Sequence, residues 1–244
     1  MKEFKGFTLA EVLITLGVIG VVAAMTMPSV INHFKEKQTV TALKHSYSVL
    51  SQAFTNIIAN EGTPDTWNLT STEDFRDLFA KYIRNTKKCD AENGACQPEC
   101  VYGLHAVNSC YNYNNTAHSA LMLNNGTVLT FWLRDDMYVK NCDDTSIGIP
   151  DSCMLTIHTD INGMKGPNTW GKDRFEFYVY KHRILPAGHP EMTAGDIFDG
   201  NCINGENGTL FDGHGCGAWV LYNENLDYLK CPEKLGWDKA SSCK

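Results

Sequence analysis

The stretch KGFTLAEVLITLGVIGVVAAMTMPSVI, residues 5–31, decides the fold of this chain. From Phe7 to Ile31 it runs for 25 residues with a single charged side chain, that of Glu11. About 20 consecutive apolar residues cross a bilayer core as a helix, so this segment is long enough to span a membrane. Two lysines within the first five residues place the N-terminus in the cytoplasm by the positive-inside tendency.

A cleavable secretory signal is the alternative interpretation of the same stretch. Such a signal has a shorter apolar core and ends at a site of small residues. Ala23-Ala24-Met25 imitates that site, so the sequence leaves this alternative open.

Within the stretch, the run Lys5-Gly6-Phe7-Thr8-Leu9-Ala10-Glu11-Val12-Leu13-Ile14 resembles the class III signal of type IV prepilins and type II secretion pseudopilins. The resemblance implies that a prepilin peptidase cuts between Gly6 and Phe7 and that Phe7 is then N-methylated. It also implies that Glu11 sets the register between subunits and that the helix kinks at Pro28.

The same resemblance implies the partners and the location of the chain. The expected partners are other pilin or pseudopilin subunits, the prepilin peptidase, an inner-membrane assembly platform and the lipid bilayer. The chain would be held in a bacterial inner membrane by a single pass, with its C-terminal domain outside the cytoplasm. It would then enter a pilus or pseudopilus in the periplasm or at the cell surface.

Physical chemistry supports a role for Glu11 without the family. An ionisable residue inside a membrane helix is costly and usually functional. Cleavage after Gly6 would create an amine at Phe7, which offers the carboxylate a partner. The alternative is that Glu11 only lies near the start of the helix, where the helix dipole favours an acid.

The apolar run continues into an amphipathic stretch, which predicts one helix over residues 8–59. Its apolar residues recur at three- and four-residue steps, as on one face of a helix. Gly62 and Pro64 are expected to end it, and Pro28 to bend it. The stripe consists of Leu43, Tyr47, Leu50, Phe54 and Ile57. The predicted organisation is a leader at residues 1–6, a helix at 7–60 and a Cys-rich globular domain at 61–244.

The globular part shows a second helix and several strands. Ser71-Thr72-Glu73-Asp74 opens a helix expected to reach Arg84. Asn124-Asn125-Gly126 supplies a tight turn between strands at 120–123 and 127–133. Further strands are predicted at 154–159, 175–180 and 218–222. The predicted fold class is α+β, with a long N-terminal helix packed on an antiparallel sheet as in pilins and a disulfide-rich C-terminal part.

The chain has ten cysteines, and all of them follow residue 88. An even number outside the cytoplasm predicts disulfides. Buried free thiols or a zinc site are the alternatives, since Cys96 and Cys100 have a spacing that zinc tolerates. The pairing stays open. The cysteines are Cys89, Cys96, Cys100, Cys110, Cys142, Cys153, Cys202, Cys216, Cys231 and Cys243.

Two loops stand out. The oxygens of Asp160, Asn162, Asn168 and Asp173 could surround calcium, the one cofactor considered, although ordinary turns use the same residue types. The loop at residues 195–217 has aromatic residues near its ends and could contact a partner, although it also fits a folded-domain loop. Cys202 and Cys216 flank it and are expected to close it or tie it to the sheet.

The net charge of −7 argues against a nucleic-acid-binding protein. No hydrolase, zinc-protease or nucleotide-binding motif occurs in the sequence, so we expect no enzymatic activity. The sequence favours a structural subunit, larger than typical major pilins and therefore minor or specialised. The alternatives are a membrane-anchored binding protein that does not assemble and a secreted enzyme with an ordinary signal peptide.

Overall fold

The structure is a computed structural model that describes residues 6, 8–91, 96, 98–105, 110–112, 118–133, 142, 152–205 and 211–244. The chain divides into two compact units, Met1–Gln38 and Thr39–Lys244.

Helix α1 runs from Leu9 to Glu61, which confirms the predicted long helix. It ends where Gly62 adopts a φ of 88°, a conformation that a residue with a side chain rarely adopts. Pro28 lies inside this continuous helix, and the bend there stays a prediction. The residues that α1 buries are all in the second unit and follow the predicted stripe: Val40, Leu43, Ser46, Leu50, Ala53, Phe54 and Ile57.

Helix α2, Thr72–Ala80, begins with the predicted cap. Ser71 Oγ accepts a hydrogen bond from the Asp74 amide, and the Asp74 carboxylate accepts one from the Ser71 amide. The helix ends four residues before the predicted Arg84, a correction. The Asn85 side chain donates to the carbonyl oxygens of Ala80 and Ile83, and these bonds satisfy the helix end as the chain enters a strand.

The described residues contain nine strands. Six of them form one antiparallel sheet in the order β1-β4-β5-β6-β8-β9, and β3-β2-β7 form a small second sheet. The tight turn at Asn124-Asn125-Gly126 joins β4 to β5 as predicted. The strands are β1 Asn85–Cys89, β2 Val101–Tyr102, β3 Cys110–Tyr111, β4 His118–Leu123, β5 Val128–Leu133, β6 Ser152–Asp160, β7 Asn168–Thr169, β8 Arg174–Tyr180 and β9 Ile184–Pro186.

The six-stranded sheet has one apolar face and one polar face, because neighbouring residues of a strand point to opposite sides. Phe131, Ile157 and Phe177 are aligned across β5, β6 and β8 on the apolar face. There Tyr47 of α1 stacks on Phe177 with ring centroids 5.7 Å apart, and Phe75 of α2 lies edge-on to Phe131 at 5.2 Å. Both helices therefore pack on this face.

The predicted strand at 218–222 is wrong, because these residues belong to helix α3, Gly217–Asn223. Ala218, Trp219 and Val220 are all fully buried, whereas a strand with one buried face would alternate. A short apolar run does not distinguish a strand from a buried helix. Gly213, with a φ of 93°, turns the chain into the helix, and Glu224 in the left-handed region ends it.

All ten cysteines form disulfides, which confirms that prediction and excludes free thiols and a zinc site at Cys96 and Cys100. Each bond closes a short loop of sequence. Two of them link cysteines between Cys89 of β1 and Cys110 of β3. The pairs are Cys89–Cys96, Cys100–Cys110, Cys142–Cys153, Cys202–Cys216 and Cys231–Cys243.

Candidate functional site

The N-terminal segment brings Glu11 into the first turn of α1. Glu11 Oε2 accepts two hydrogen bonds from Thr8, one from its amide at 2.8 Å and one from its hydroxyl at 2.7 Å. In return, Thr8 Oγ1 accepts a hydrogen bond from the Glu11 amide at 3.3 Å. This reciprocal arrangement caps the helix. Gly6 is exposed, and Phe7 lies outside the described residues.

The first half of α1 is apolar on every side. It contains an 18-residue window of mean hydropathy 2.2, none of which is buried. A helix that is apolar all round belongs in a protein interior or in a membrane. Its exposed apolar residues include Leu13, Ile14, Ile19, Val22, Met25 and Phe34. By length and composition this helix can cross a bilayer.

A group of buried polar side chains lies on the polar face of the sheet. We call Glu176, Tyr178, Asp196, Asn201 and His214 the buried polar cluster. Glu176 Oε2 lies 2.6 Å from His214 Nδ1, and ligand-type atoms of Glu176, Asp196 and His214 all lie within 4.8 Å of one another. The Tyr178 hydroxyl and the Asn201 side-chain amide both donate to the Asp196 carboxylate.

Burial shifts the titration of this cluster. The pKa of Asp196 is raised to about 6. Burial is the larger cause, and the negative charge of the neighbouring Glu176 is the second. Burial alone would lower the pKa of His214, but the charge and hydrogen bond of Glu176 outweigh it and raise that pKa. Burial likewise raises the pKa of Tyr178 well above its usual value. The cluster therefore holds protons more tightly in the folded protein than in the unfolded chain.

This shift predicts how Asp196→Asn responds to pH. The contribution of Asp196 to the stability of the wild-type protein should be lost as pH rises from 3.8 to about 6, because the folded state binds the Asp196 proton more tightly than the unfolded state does. The variant lacks this titration. Relative to wild type, its free energy of unfolding should therefore rise between pH 4 and pH 7 by on the order of 2 kcal/mol.

Denaturant unfolding of both proteins at the two pH values measures this difference. The matched control is Asp238→Asn, which removes an exposed carboxylate and should follow wild type. Unfolding free energies of wild type and Asp196→Asn that change in parallel with pH would contradict the assignment.

The loop with the predicted calcium ligands follows β6. The structure divides the four predicted residues into two pairs. The Asn162 side-chain amide donates to Asp173 Oδ2 at 3.3 Å, and the Thr169 amide donates to Asp173 Oδ1 at 2.6 Å. The Asn168 amide group instead lies against Asp160 Oδ2, at 3.0 Å. Calcium binding stays a prediction.

The described residues of the predicted loop, 195–205 and 211–217, are built into the folded domain. The Cys202–Cys216 disulfide closes it, as expected. Phe198 stacks on Trp219 with ring centroids 4.3 Å apart, and both are buried. Phe211, another aromatic residue of this loop, is 46% exposed. The contact with a partner stays a prediction.

The buried polar cluster was not predicted from the sequence. A signal was present in the sequence, because Glu176 is a charged residue within the otherwise largely apolar segment that forms β8. Asp196 and His214 reach the cluster from a loop, and no spacing in the sequence relates them to the strands.

The comparisons with known proteins concern the N-terminal segment. Residues 1–27 match the family model of the prokaryotic N-terminal methylation motif. No match was found among curated proteins or among solved structures. The matched residues include Gly6, Phe7 and Glu11 and most of the apolar run, up to Met27. The chain therefore carries the prepilin-type N-terminal methylation motif of type IV pilins and pseudopilins.

Proposed function

We propose that this chain is a structural subunit, minor or specialised, of a type IV pilus or type II secretion pseudopilus. The observation that carries the proposal is the methylation motif joined to a helix whose first half is apolar and exposed all round. In lipid this surface is covered by acyl chains. In a filament the same surface would be covered by the helices of other subunits, the expected partners.

The globular unit fits an extracytoplasmic location. Its five disulfides belong to an oxidising compartment, such as the periplasm or the cell surface. We infer inner-membrane insertion with this unit outside, processing by a prepilin peptidase, and transfer to a filament by the assembly platform. On this proposal the chain assembles and does not catalyse a reaction.

The N-terminal peptide tests this function. Mass spectrometry of protein isolated from its native host should find a peptide that begins at N-methylated Phe7, because the motif directs cleavage after Gly6. A peptide that begins at Met1 would instead support an anchored binding protein that does not assemble. A peptide that begins after Ala24 would support a secreted protein with an ordinary signal and would return an enzyme to consideration.

A further inference from the structure

The buried polar cluster brings three metal-ligating side chains together from separate parts of the chain. Glu176 lies in β8, Asp196 in the loop after β9, and His214 in the turn before α3. Ligand-type atoms of the three lie within 4.8 Å of one another, and none of the three residues is more than 6% exposed. Carboxylate oxygens and imidazole nitrogens are ligands that Zn²⁺ takes in proteins. The cluster therefore has the chemistry and the spacing of a zinc site.

His158 supplies an independent sign of a ligand. This residue is 2% exposed and is aligned with Glu176 across β6 and β8. Its Nε2 lies 3.4 Å from Glu176 Oε1 and has no hydrogen-bond partner among the residues that the structure describes. Two ligands of a tetrahedral zinc ion, each about 2.1 Å from the metal, lie about 3.4 Å apart. A fourth ligand atom is thus in place beside the cluster.

Arg174 is a positively charged neighbour of His158. Its Nη2 lies 3.4 Å from His158 Nδ1, which is long for a hydrogen bond, so this contact does not fix which ring nitrogen carries the proton. Its charge opposes a bound cation, while the charges of Glu176 and Asp196 attract one. A zinc ion balances the two carboxylates, so the effect of Arg174 is to lower the affinity of the site.

A hydrogen-bonded cluster without a metal is the alternative. In that arrangement the proton between His214 Nδ1 and Glu176 Oε2, which lie 2.6 Å apart, joins the two side chains. It keeps the carboxylates of Glu176 and Asp196 close together in a buried place and gives His158 Nε2 no partner. Zinc displaces the shared proton, because metal ligands bind in their deprotonated form. The metal then satisfies the carboxylates and both imidazoles together.

We propose that Glu176, Asp196 and His214 bind one Zn²⁺ ion in the folded domain. His158 Nε2 is the fourth ligand, which gives the closed tetrahedral shell of a structural zinc site. Because two ligands lie in β6 and β8 and two in the loop that follows β9, the ion ties that loop to the polar face of the sheet.

The surroundings of the cluster prepare it for a metal. The Tyr178 hydroxyl and the Asn201 side-chain amide donate to the Asp196 carboxylate, and hydrogen bonds of this kind orient a ligating carboxylate. The Trp170 ring lies against the His214 ring with centroids 3.8 Å apart and limits its rotation. Both ligands are therefore held in position before the ion binds.

The ligand set decides which metal binds and how tightly. Imidazole nitrogens favour zinc, whereas Mg²⁺ requires an octahedral shell of oxygens. The four ligands include no thiolate, and Arg174 opposes the ion. We therefore expect a zinc dissociation constant on the order of 10⁻⁶ M, weaker than that of zinc-finger sites.

Metal analysis and thermal unfolding of the detergent-solubilised full-length protein test the site. Equilibrium dialysis of metal-stripped protein against ZnCl₂ should leave close to one bound zinc per chain. With zinc at about 100 times the dissociation constant, the unfolding midpoint should be about 5–10 °C higher than without added metal, because the ion binds the folded state. MgCl₂ should give little shift. The pH dependence predicted for Asp196→Asn refers to the metal-free protein and is measured after the same stripping.

Conservative variants separate metal binding from hydrogen bonding. Glu176→Gln and His214→Gln keep side chains that can form hydrogen bonds but remove good zinc ligands, so each should weaken zinc binding by more than about tenfold. The matched control is His182→Gln, which removes an exposed imidazole and should keep the wild-type zinc content and shift. Co²⁺ in place of zinc reports the geometry, because tetrahedral Co²⁺ absorbs visible light far more strongly than octahedral Co²⁺.

The outcomes decide between the two arrangements. Wild-type protein that retains no zinc and has equal midpoints with and without zinc overturns the proposal. An undiminished shift in the two ligand variants also overturns it, as does a shift that is lost in His182→Gln, which would place the ion at the surface. If the ligand variants do not fold, the Co²⁺ spectrum of the wild type decides: strong tetrahedral absorption supports the site, and a weak octahedral spectrum overturns it.

Discussion

Glu11→Ala should leave the chain in the membrane but reduce its incorporation into filaments by more than about tenfold. The apolar run is long enough to insert without this carboxylate. The proposed partner is the amine of Phe7, and removing one member of a buried charged pair leaves the other uncompensated. Quantification of the protein in membranes and in sheared filaments of the native host measures both quantities.

The structure shows a competing role for the same carboxylate, since Glu11 caps α1 through Thr8. Two further variants separate the roles. Glu11→Gln keeps an oxygen that can cap the helix but removes the charge, so it should fail to assemble if the charge sets the register. Thr8→Val removes the hydroxyl bond to Glu11 and keeps the charge, so it should assemble.

If Glu11→Ala is incorporated into filaments at the wild-type level, Glu11 does not set the register between subunits. Normal assembly of Glu11→Gln together with failure of Thr8→Val would assign Glu11 to helix capping alone.

Trp219→Ala should lower the free energy of unfolding by about 3–5 kcal/mol, the usual cost of removing a large buried aromatic side chain. Trp219 is fully buried in α3. Its ring stacks on Phe198 and lies 5.3 Å from the ring centroid of Trp237. Its indole nitrogen donates to Asn225 Oδ1 at 2.9 Å. Denaturant unfolding of the two proteins measures the loss.

A graded pair of variants shows whether packing causes this loss. Trp219→Phe keeps an aromatic ring against Phe198 and loses the hydrogen bond, so it should cost about 1–2 kcal/mol. Leu229→Ala truncates a side chain that is 43% exposed and should stay within about 0.5 kcal/mol of wild type. A loss in Trp219→Ala no larger than in Leu229→Ala would contradict the packing seen around α3.

The N-terminal motif could be recognised from sequence because its information is local. A basic leader, a glycine and one acid within an apolar run stand within about ten neighbouring residues, and the family match covers the same segment. The hairpin around Asn125-Gly126 and the cap at Ser71 were predicted for the same reason.

Elements without a local signal were missed or misread. β1 contains the polar run Asn-Thr-Lys-Lys-Cys and lies at the sheet edge, where polar residues remain in solvent, so no apolar alternation marks it. Residues 218–222 show an apolar run, but in the folded protein they form a helix in which Trp219 stacks on Phe198 and the Ala218 amide donates to the Ala187 carbonyl oxygen.

The sequence by itself predicted the long apolar helix, the N-terminal methylation motif, the α+β class and the disulfides, because these follow from residue types and short spacings. Only the tertiary structure decided which cysteines pair and which residues form the buried polar cluster. The residues of the cluster lie far apart along the chain, as Glu176 and His214 do, and are brought together by strand register and loop closure. Register and closure depend on the packing of the whole domain, which no short stretch of sequence specifies.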